Sequence, residues 1–176
     1  MEYKKIVLFL LILSAFALIM IIVMMMALSG KQTKDLSMSI NGTNITIEEG
    51  ITTIGSHSFG RCTSLTSVVI GDGVTSIETN AFSNCSSLTS VVIPESVTKI
   101  CVQAFRKSKN CETLTVPDTV TEIEKEAFAH CPATRIVLPA GLKKIASFCF
   151  YGSAITDIQI PDTVEEIGIS ALASES

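Results

Sequence analysis

The chain has 176 residues, with 13 basic and 17 acidic side chains, two histidines and no tryptophan. Its mean hydropathy of +0.49 is high because residues 6–28 form one apolar block. The remainder, residues 31–176, carries 11 basic and 16 acidic side chains, a net charge of −5, and has the length of one domain. These values disfavour a nucleic-acid partner held by phosphate contacts, a large enzyme and a multi-pass transporter.

The N-terminal apolar block, IVLFLLILSAFALIMIIVMMMAL, contains Ser14 as its one polar side chain. A helix rises about 1.5 Å per residue, so residues 6–28 are long enough to cross a hydrocarbon core of roughly 30 Å. The block is also longer than the apolar part of a secretory signal peptide. We therefore predict an uncleaved transmembrane helix. The alternative is a signal peptide cleaved near Ala27-Leu28-Ser29, which would make the protein secreted.

The orientation of this helix follows from how little chain precedes it. Two lysines stand on each side, so the positive-inside rule does not decide. Because a short N-terminal segment is usual for a signal anchor, we predict a cytoplasmic tail at 1–5. Residues 29–44 are then a linker, and residues 45–176 form a domain that faces the cell exterior.

Three N-glycosylation sequons begin at Asn41, Asn44 and Asn84. They are candidate modification sites only in a secretory eukaryotic setting. The alternative is chance occurrence in a chain rich in serine and threonine, and the sequence leaves both open.

A repeat of 22–23 residues fills residues 45–176. An isoleucine recurs six times, at Ile54, Ile77, Ile100, Ile123, Ile145 and Ile167. Five residues after each isoleucine stands a large apolar residue: Phe59, Phe82, Phe105, Phe128, Phe150 and Leu172. A small residue precedes each of these, and a branched apolar residue stands three positions before each isoleucine. Four aligned columns over six units predict units that stack on one another.

Each unit also contains a strand-like stretch, such as SLTSVVIPES or ATRIVLPAG, with the pattern L-x-x-V-x-I-P. Strand side chains alternate between faces, so the apolar residues point into the core and the intervening ones outward. A proline then ends the strand, because it lacks the N–H that the ladder needs. We predict an α/β-type solenoid that is mostly β, with short turns or helices and a parallel sheet on one face.

The units SVVIPESVTKICVQAF and TVPDTVTEIEKEAF resemble the leucine-rich repeat of the BspA-like type, with its I-P-x-x-V-x-x-I-x-x-x-A-F signature. The resemblance covers about residues 45–176. It implies a surface or secreted microbial protein that acts in adhesion or protein recognition. The chain departs from the pattern in its small number of units and in its incomplete last unit, which lacks a polar cap. We therefore keep self-association through the C-terminal edge as a second hypothesis.

The six cysteines occupy positions of the repeat. Cys62, Cys85 and Cys131 share one column with Ser108 and Ser153, three residues after the phenylalanine, which indicates a tight interior turn. Cys62 and Cys85 lie in adjacent units, within disulfide reach. We nevertheless predict buried free thiols, because the column accepts any small residue with a weak donor. No cysteine pair has zinc-type spacing with a nearby histidine.

The chain shows no motif for catalysis, and we predict no enzyme activity, cofactor or metal. His57 and His130 stand three units apart in different columns, so we predict surface histidines on turns. No phosphate-binding glycine loop or nucleophile motif is present. The basic group Lys99, Arg106, Lys107 and Lys109 is either a solvated face or a contact for anionic lipids or glycans.

A binding surface is then the remaining candidate site. The outward columns of the predicted sheet hold Val69, Val92, Thr115, Val137 and Gln159, and, two residues earlier, Ser67, Ser90, Thr113, Arg135 and Asp157. Exposed valines amid hydroxyl side chains suit recognition of a protein ligand. The alternative is that β-branched residues merely favour strands. Arg135 is the best candidate for a binding hot spot.

Overall fold

The computed structural model describes residues 38–41, 43–47, 50–108 and 113–174, which belong to one compact unit, Ser37–Ser176. The predicted tail at 1–5 and transmembrane helix at 6–28 lie outside the described residues. Within the described part, no helix has both the length and the apolar character needed to cross a membrane.

Thirteen strands are present in the described residues. In chain order they are β1 (Met38–Asn41), β2 (Asn44–Ile47), β3 (Thr53–Ile54), β4 (Ser67–Ile70), β5 (Ser76–Ile77), β6 (Ser90–Val92), β7 (Lys99–Ile100), β8 (Thr113–Thr115), β9 (Glu122–Ile123), β10 (Arg135–Val137), β11 (Lys144–Ile145), β12 (Asp157–Gln159) and β13 (Glu166–Ile167).

The even-numbered strands form one parallel ladder, and the odd-numbered strands from β3 onward form another. The main ladder contains β2-β4-β6 and β8-β10-β12, and it is divided between β6 and β8, next to residues 109–112. The second ladder contains β3-β5-β7-β9 and β11-β13. Neighbouring strands pair at the repeat spacing, as in Ile77↔Ile100. The predicted stack of parallel strands is therefore present. The sequence pattern did not reveal that the segment after each main strand contains a second short strand and is not only a turn.

The third side of each unit runs through the phenylalanine and consists of consecutive turns, which we call the turn face. Its backbone N–H groups donate to carbonyls of the next unit; for example, Phe82 N donates to Ala104 O at 2.7 Å. The residues two positions before and two positions after each phenylalanine adopt positive φ, as at Gln103 (56°) and Lys107 (59°). This alternation lets every second N–H point toward the neighbouring unit.

The core contains the predicted columns. Phe59, Phe82, Phe105, Phe128 and Phe150 form one continuous stack, with ring centroids 5.1 to 5.6 Å apart and ring planes within 9° of parallel. The isoleucine column is buried from Ile54 to Ile145. In the last unit Ile167 is 52% exposed, because β13 pairs with a neighbour on one side among the described residues.

The described part of the linker predicted at 29–44 contains a strand. Residues 38–41 form β1, which pairs antiparallel with β2 in the register Met38↔Ile47 and Asn41↔Asn44. The two strands form a hairpin whose two connecting residues are Gly42 and Thr43, and glycine at the first of two connecting residues favours a tight hairpin. The repeat pattern did not reveal this strand because β1 precedes the first unit and pairs in the opposite direction. It covers the edge of the main ladder at β2.

Candidate protein-binding face

The outward surface of the main ladder, which we call the sheet face, contains the predicted apolar stripe. Val69, Val92 and Val137 are 44%, 56% and 37% exposed, and Thr115 and Gln159 are exposed beside them. Val69 pairs with Val92 in register, and Thr115, Val137 and Gln159 align across the other half of the ladder. The neighbours Val68 and Ile136 are buried, as strand alternation requires.

The second predicted column lies beside this stripe. Ser67 pairs with Ser90, and Thr113, Arg135 and Asp157 align in the other half of the ladder. Arg135 Nε lies 3.5 Å from Asp157 Oδ2, with both side chains well exposed. An ion pair of this kind in water contributes little to stability. Arg135 therefore remains available to an incoming carboxylate, in competition with Asp157.

A threonine column at the start of the main ladder was missed from the sequence. Thr66 Oγ1 donates to Thr43 O at 3.2 Å, Thr89 Oγ1 to Thr66 O at 3.0 Å, and Thr156 Oγ1 to Thr134 O at 3.2 Å. Each hydroxyl thus binds the unit before it and borders the sheet face. Threonine stands just before five of the six parallel strands of the main ladder, and this recurrence is the sequence signal that would have revealed the column.

The predicted basic group is not one patch. Lys99, on β7, lies 2.9 Å from Glu122 and 2.8 Å from Glu124. Hydrogen bonds to Glu124 and Glu122 raise the pKa of Lys99 above its ordinary value. Arg106 and Lys107 lie on the turn face instead, and Lys109 lies outside the described residues. The cations are therefore distributed over two sides of the solenoid.

The cysteine and serine column lies in the interior, as predicted. Cys85 Sγ donates to Phe59 O at 3.1 Å, and Ser108 Oγ donates to Phe82 O at 3.1 Å. Each small side chain thus satisfies a carbonyl of the preceding unit. Cys62, Cys85, Cys101, Cys131 and Cys149 are buried and form no disulfide, and Cys111 lies outside the described residues.

Burial shifts the titration of these thiols. It raises the pKa of Cys85 to about 12, with a further contribution from Cys62, and it also raises the pKa of Cys62 and Cys149. Burial, together with the carboxylates of Glu124 and Glu78, raises the pKa of Cys101 to about 11. Because the thiolate is the nucleophile, these side chains are poorly suited to covalent chemistry near neutral pH.

The histidines lie on the turn face in different units and different columns. His57 is exposed, and the His130 and Tyr151 rings form a T-shaped pair with centroids 5.5 Å apart. Among the described residues, no group of three or more His, Cys, Asp or Glu side chains is arranged to hold a metal ion.

The three sequons begin in different surroundings. Asn41 belongs to β1, and Asn44 is exposed in β2, where its Oδ1 accepts a hydrogen bond from Thr66 Oγ1 at 3.0 Å. Asn84 is half-buried on the turn face, with a φ of 60°. The choice between modification and chance occurrence stays open.

Parallel ladders, a stacked aromatic core and a repeat of 22–23 residues define this part of the chain as a leucine-rich-repeat solenoid. The sequence matches the BspA type leucine rich repeat region (6 copies) over residues 35–131 and 102–176. The chain therefore belongs to this family, as the resemblance of its repeat units indicated. No curated protein matches the chain.

Several solved structures with the same fold come from bacteria. A leucine-rich repeat protein from Bacteroides ovatus is 27% identical with a TM-score of 0.57, covering 72% of this chain and 39% of that protein. A leucine rich cell surface protein from Faecalibacterium prausnitzii is 27% identical with a TM-score of 0.60, and the match covers 76% of this chain and 35% of that protein. The leucine rich repeat protein of T. pallidum, at 21% identity and a TM-score of 0.56, covers 80% of this chain and 86% of that one, and it shares the fold. The chain thus spans little more than a third of the first two proteins.

Proposed function

We propose that the protein recognises a protein ligand at the cell surface through its sheet face and takes part in adhesion or partner recognition. The observation that carries this proposal is the stripe of exposed Val69, Val92 and Val137 on a sheet that is hydrogen-bonded from unit to unit. Exposed apolar residues with a polar rim favour protein association, and leucine-rich-repeat proteins generally bind proteins. Membership of a repeat family whose fold is generally non-enzymatic supports a binding role without catalysis.

The membrane attachment in this proposal rests on the sequence of residues 6–28. Its test is protease shaving of intact cells that express the full chain with an epitope tag after Ser176. We expect the tag to be lost from intact cells. Loss only after permeabilisation would place the repeat domain inside the cell and would contradict a role in surface recognition.

The sheet face itself is tested by site-specific photocrosslinking in cells. A photoreactive amino acid at Val92 is compared with the same group at Thr98, which is exposed in the turn that leads to the second ladder. We expect a discrete crosslinked protein from Val92 and none from Thr98. Equal products from both positions would contradict a specific sheet-face partner.

The predicted hot spot gives the quantitative test on the partner identified in this way. Arg135→Ala is expected to weaken its binding at least tenfold, because a guanidinium at an interface offers several directed donors. Asp157→Asn is the matched control, since it removes the ion pair while leaving Arg135 in place. Unchanged affinity for Arg135→Ala in a titration would remove this part of the face from the binding site.

Self-association is a second candidate, favoured by the exposed isoleucines of the last unit. Ile167 and Ile169 are 52% and 74% exposed. Light scattering of the full chain in detergent over a dilution series tests it, with Ile169→Glu as the variant. A mass that falls on dilution, and falls further in the variant, would favour pairing between copies through this end.

A further inference from the structure

We propose that the turn face carries a second binding site, a groove that takes an oxyanion on a hydroxyl-bearing scaffold, such as an acidic saccharide. The groove measures about 460 Å³ and is lined by residues of three consecutive units. This volume is within the range of small-molecule sites. The groove shares no residue with the sheet face, so the proposal stands independently of the protein-binding function.

The position of the groove follows from the sizes of the residues that directly follow the phenylalanines in successive units. This column contains Gly60, Ser83, Arg106, Ala129 and Tyr151 in successive units. Gly60 and Ser83 line the groove and leave space above the backbone, whereas Arg106 lines it in the third unit. A Cβ placed at Gly60 would lie 3.3 Å from the backbone oxygen of Asn80 in the next unit, so a side chain at this position would press on that carbonyl.

The remaining lining comes from the two columns with positive φ. His57, Asn80 and Gln103 belong to the column before the phenylalanine, and Arg61 and Asn84 belong to the column after it. These residues have long polar side chains at positions where the backbone is held by hydrogen bonds to the next unit, such as Arg61 N to Ser83 O at 2.7 Å. A regular backbone thus presents polar groups along a groove of fixed width.

The charges in the groove favour an anion. Arg61 is exposed and has no ion-pair partner among the described residues. Arg106 Nε is buried and makes no hydrogen bond within the described residues, although it lies 3.3 Å from Glu126 Oε2. That same Glu126 oxygen already accepts a hydrogen bond from Gln103 Nε2 at 2.7 Å. The charge of Arg106 is therefore balanced by Glu126, whereas the exposed guanidinium of Arg61 can offer directed N–H donors to a ligand oxyanion.

The other lining groups suit hydroxyls. Asn84 Nδ2 donates to Ser83 Oγ at 3.0 Å, and the amide oxygen of the same side chain is a hydrogen-bond acceptor. Asn80 and His57 add further donors and acceptors, and the described residues that line the groove include no apolar side chain. A ligand with several hydroxyl groups and one oxyanion would match this set of partners better than an apolar molecule.

The test is calorimetric titration of the full chain in detergent with three probes: trigalacturonate, the neutral maltotriose as a trisaccharide control, and sodium sulfate. We expect saturable binding of trigalacturonate, with maltotriose and sulfate each at least tenfold weaker. Equal binding of maltotriose would exclude oxyanion recognition. If sulfate bound as tightly as trigalacturonate, the site would recognise the oxyanion alone and the proposed saccharide ligand would be wrong. If no probe showed saturable binding, the whole proposal would be overturned.

Variants then locate the site. Arg61→Gln is expected to weaken trigalacturonate binding at least tenfold, and Gly60→Gln should do the same by filling the groove without changing its charge. Arg135→Gln, which removes the same charge from the sheet face, is the matched control and should bind as the natural chain does. Circular dichroism checks that each variant is folded. If Gly60→Gln is not folded, the binding result for Arg61→Gln alone tests the location of the site. Full binding by Arg61→Gln would overturn the assignment.

Discussion

The phenylalanine column shows most directly how single residues stabilise this protein. Phe105 lies between Phe82 and Phe128, with ring centroids 5.2 and 5.4 Å away, and it is buried. We expect Phe105→Ala to lower the free energy of unfolding by about 3–5 kcal/mol, because the cavity has stacked rings on both sides. Urea unfolding measures this change.

The matched control for that variant is Phe59→Ala, at the first ring of the stack. Phe59 contacts Phe82 and has no stacked ring on its other side among the described residues. Its loss should therefore be smaller than that of Phe105→Ala. A cost below about 1 kcal/mol for Phe105→Ala would contradict the register of the repeat.

The buried thiols give a second prediction at this scale. Burial raises the pKa of Cys85 to about 12, whereas an unfolded cysteine ionises near pH 8.5. Between these values the unfolded chain has lost the proton and the folded chain retains it, so stability falls as pH rises. We expect the urea midpoint under reducing conditions to be lower at pH 10 than at pH 7.5.

The variant Cys85→Ser separates this effect from other alkaline titrations. Serine already occupies the same column at Ser108, where its hydroxyl donates to a phenylalanine carbonyl as Cys85 does. We expect the variant to fold and to lose less stability than the natural chain between pH 7.5 and 10. An identical loss in both proteins would show that Cys85 does not contribute.

At the scale of the structural element, the turn face depends on residues in the left-handed region. Lys107 has a φ of 59°, and the same column contains Gly152, with a φ of 70°, in a later unit. Because glycine adopts this conformation without steric cost, we expect Lys107→Gly to leave stability unchanged or to raise it by up to about 1 kcal/mol. Thermal unfolding measures the effect.

Lys125→Gly is the control for this element, because Lys125 lies on the same turn face and is not among the residues with positive φ. There glycine adds freedom to the unfolded chain and also removes the contacts of Lys125 Nζ with Glu126 (3.7 Å) and with the Phe148 ring (5.5 Å), so a loss of at least about 0.5–1 kcal/mol is expected. Equal losses in the two variants would mean that the left-handed conformation of Lys107 carries no strain.

At the scale of the whole molecule, each unit contacts mainly the units next to it, so stability is distributed along the stack. Strand β7 pairs with both β5 and β9, whereas β13 pairs with β11 alone among the described residues. We expect the backbone amides of β13 to exchange with solvent at least 100-fold faster than those of β7. Hydrogen exchange of the full chain measures both. Equal rates would indicate that the units unfold as a single cooperative block.

The repeat period, the core columns and the outward columns of the main ladder were predictable from the sequence, because identical spacing places identical residues in identical surroundings. Ile100 and Phe105 are buried for this reason, and Val92 is exposed for the same reason. The spacing also placed Cys85 in an interior column. The membrane helix at 6–28 remains a prediction from the sequence.

Other features required the tertiary structure, since they depend on contacts between units or on irregular parts of the chain. Strand β1 pairs antiparallel outside the repeat. The threonine hydroxyls bind carbonyls 22 or 23 residues away, and the ion pair of Arg135 with Asp157 is set by strand register. The groove beside Gly60 forms because two small residues of one column stand in consecutive units between long polar neighbours. A period fixes which residues share a column, but the space and charge between columns are decided only when the units stack.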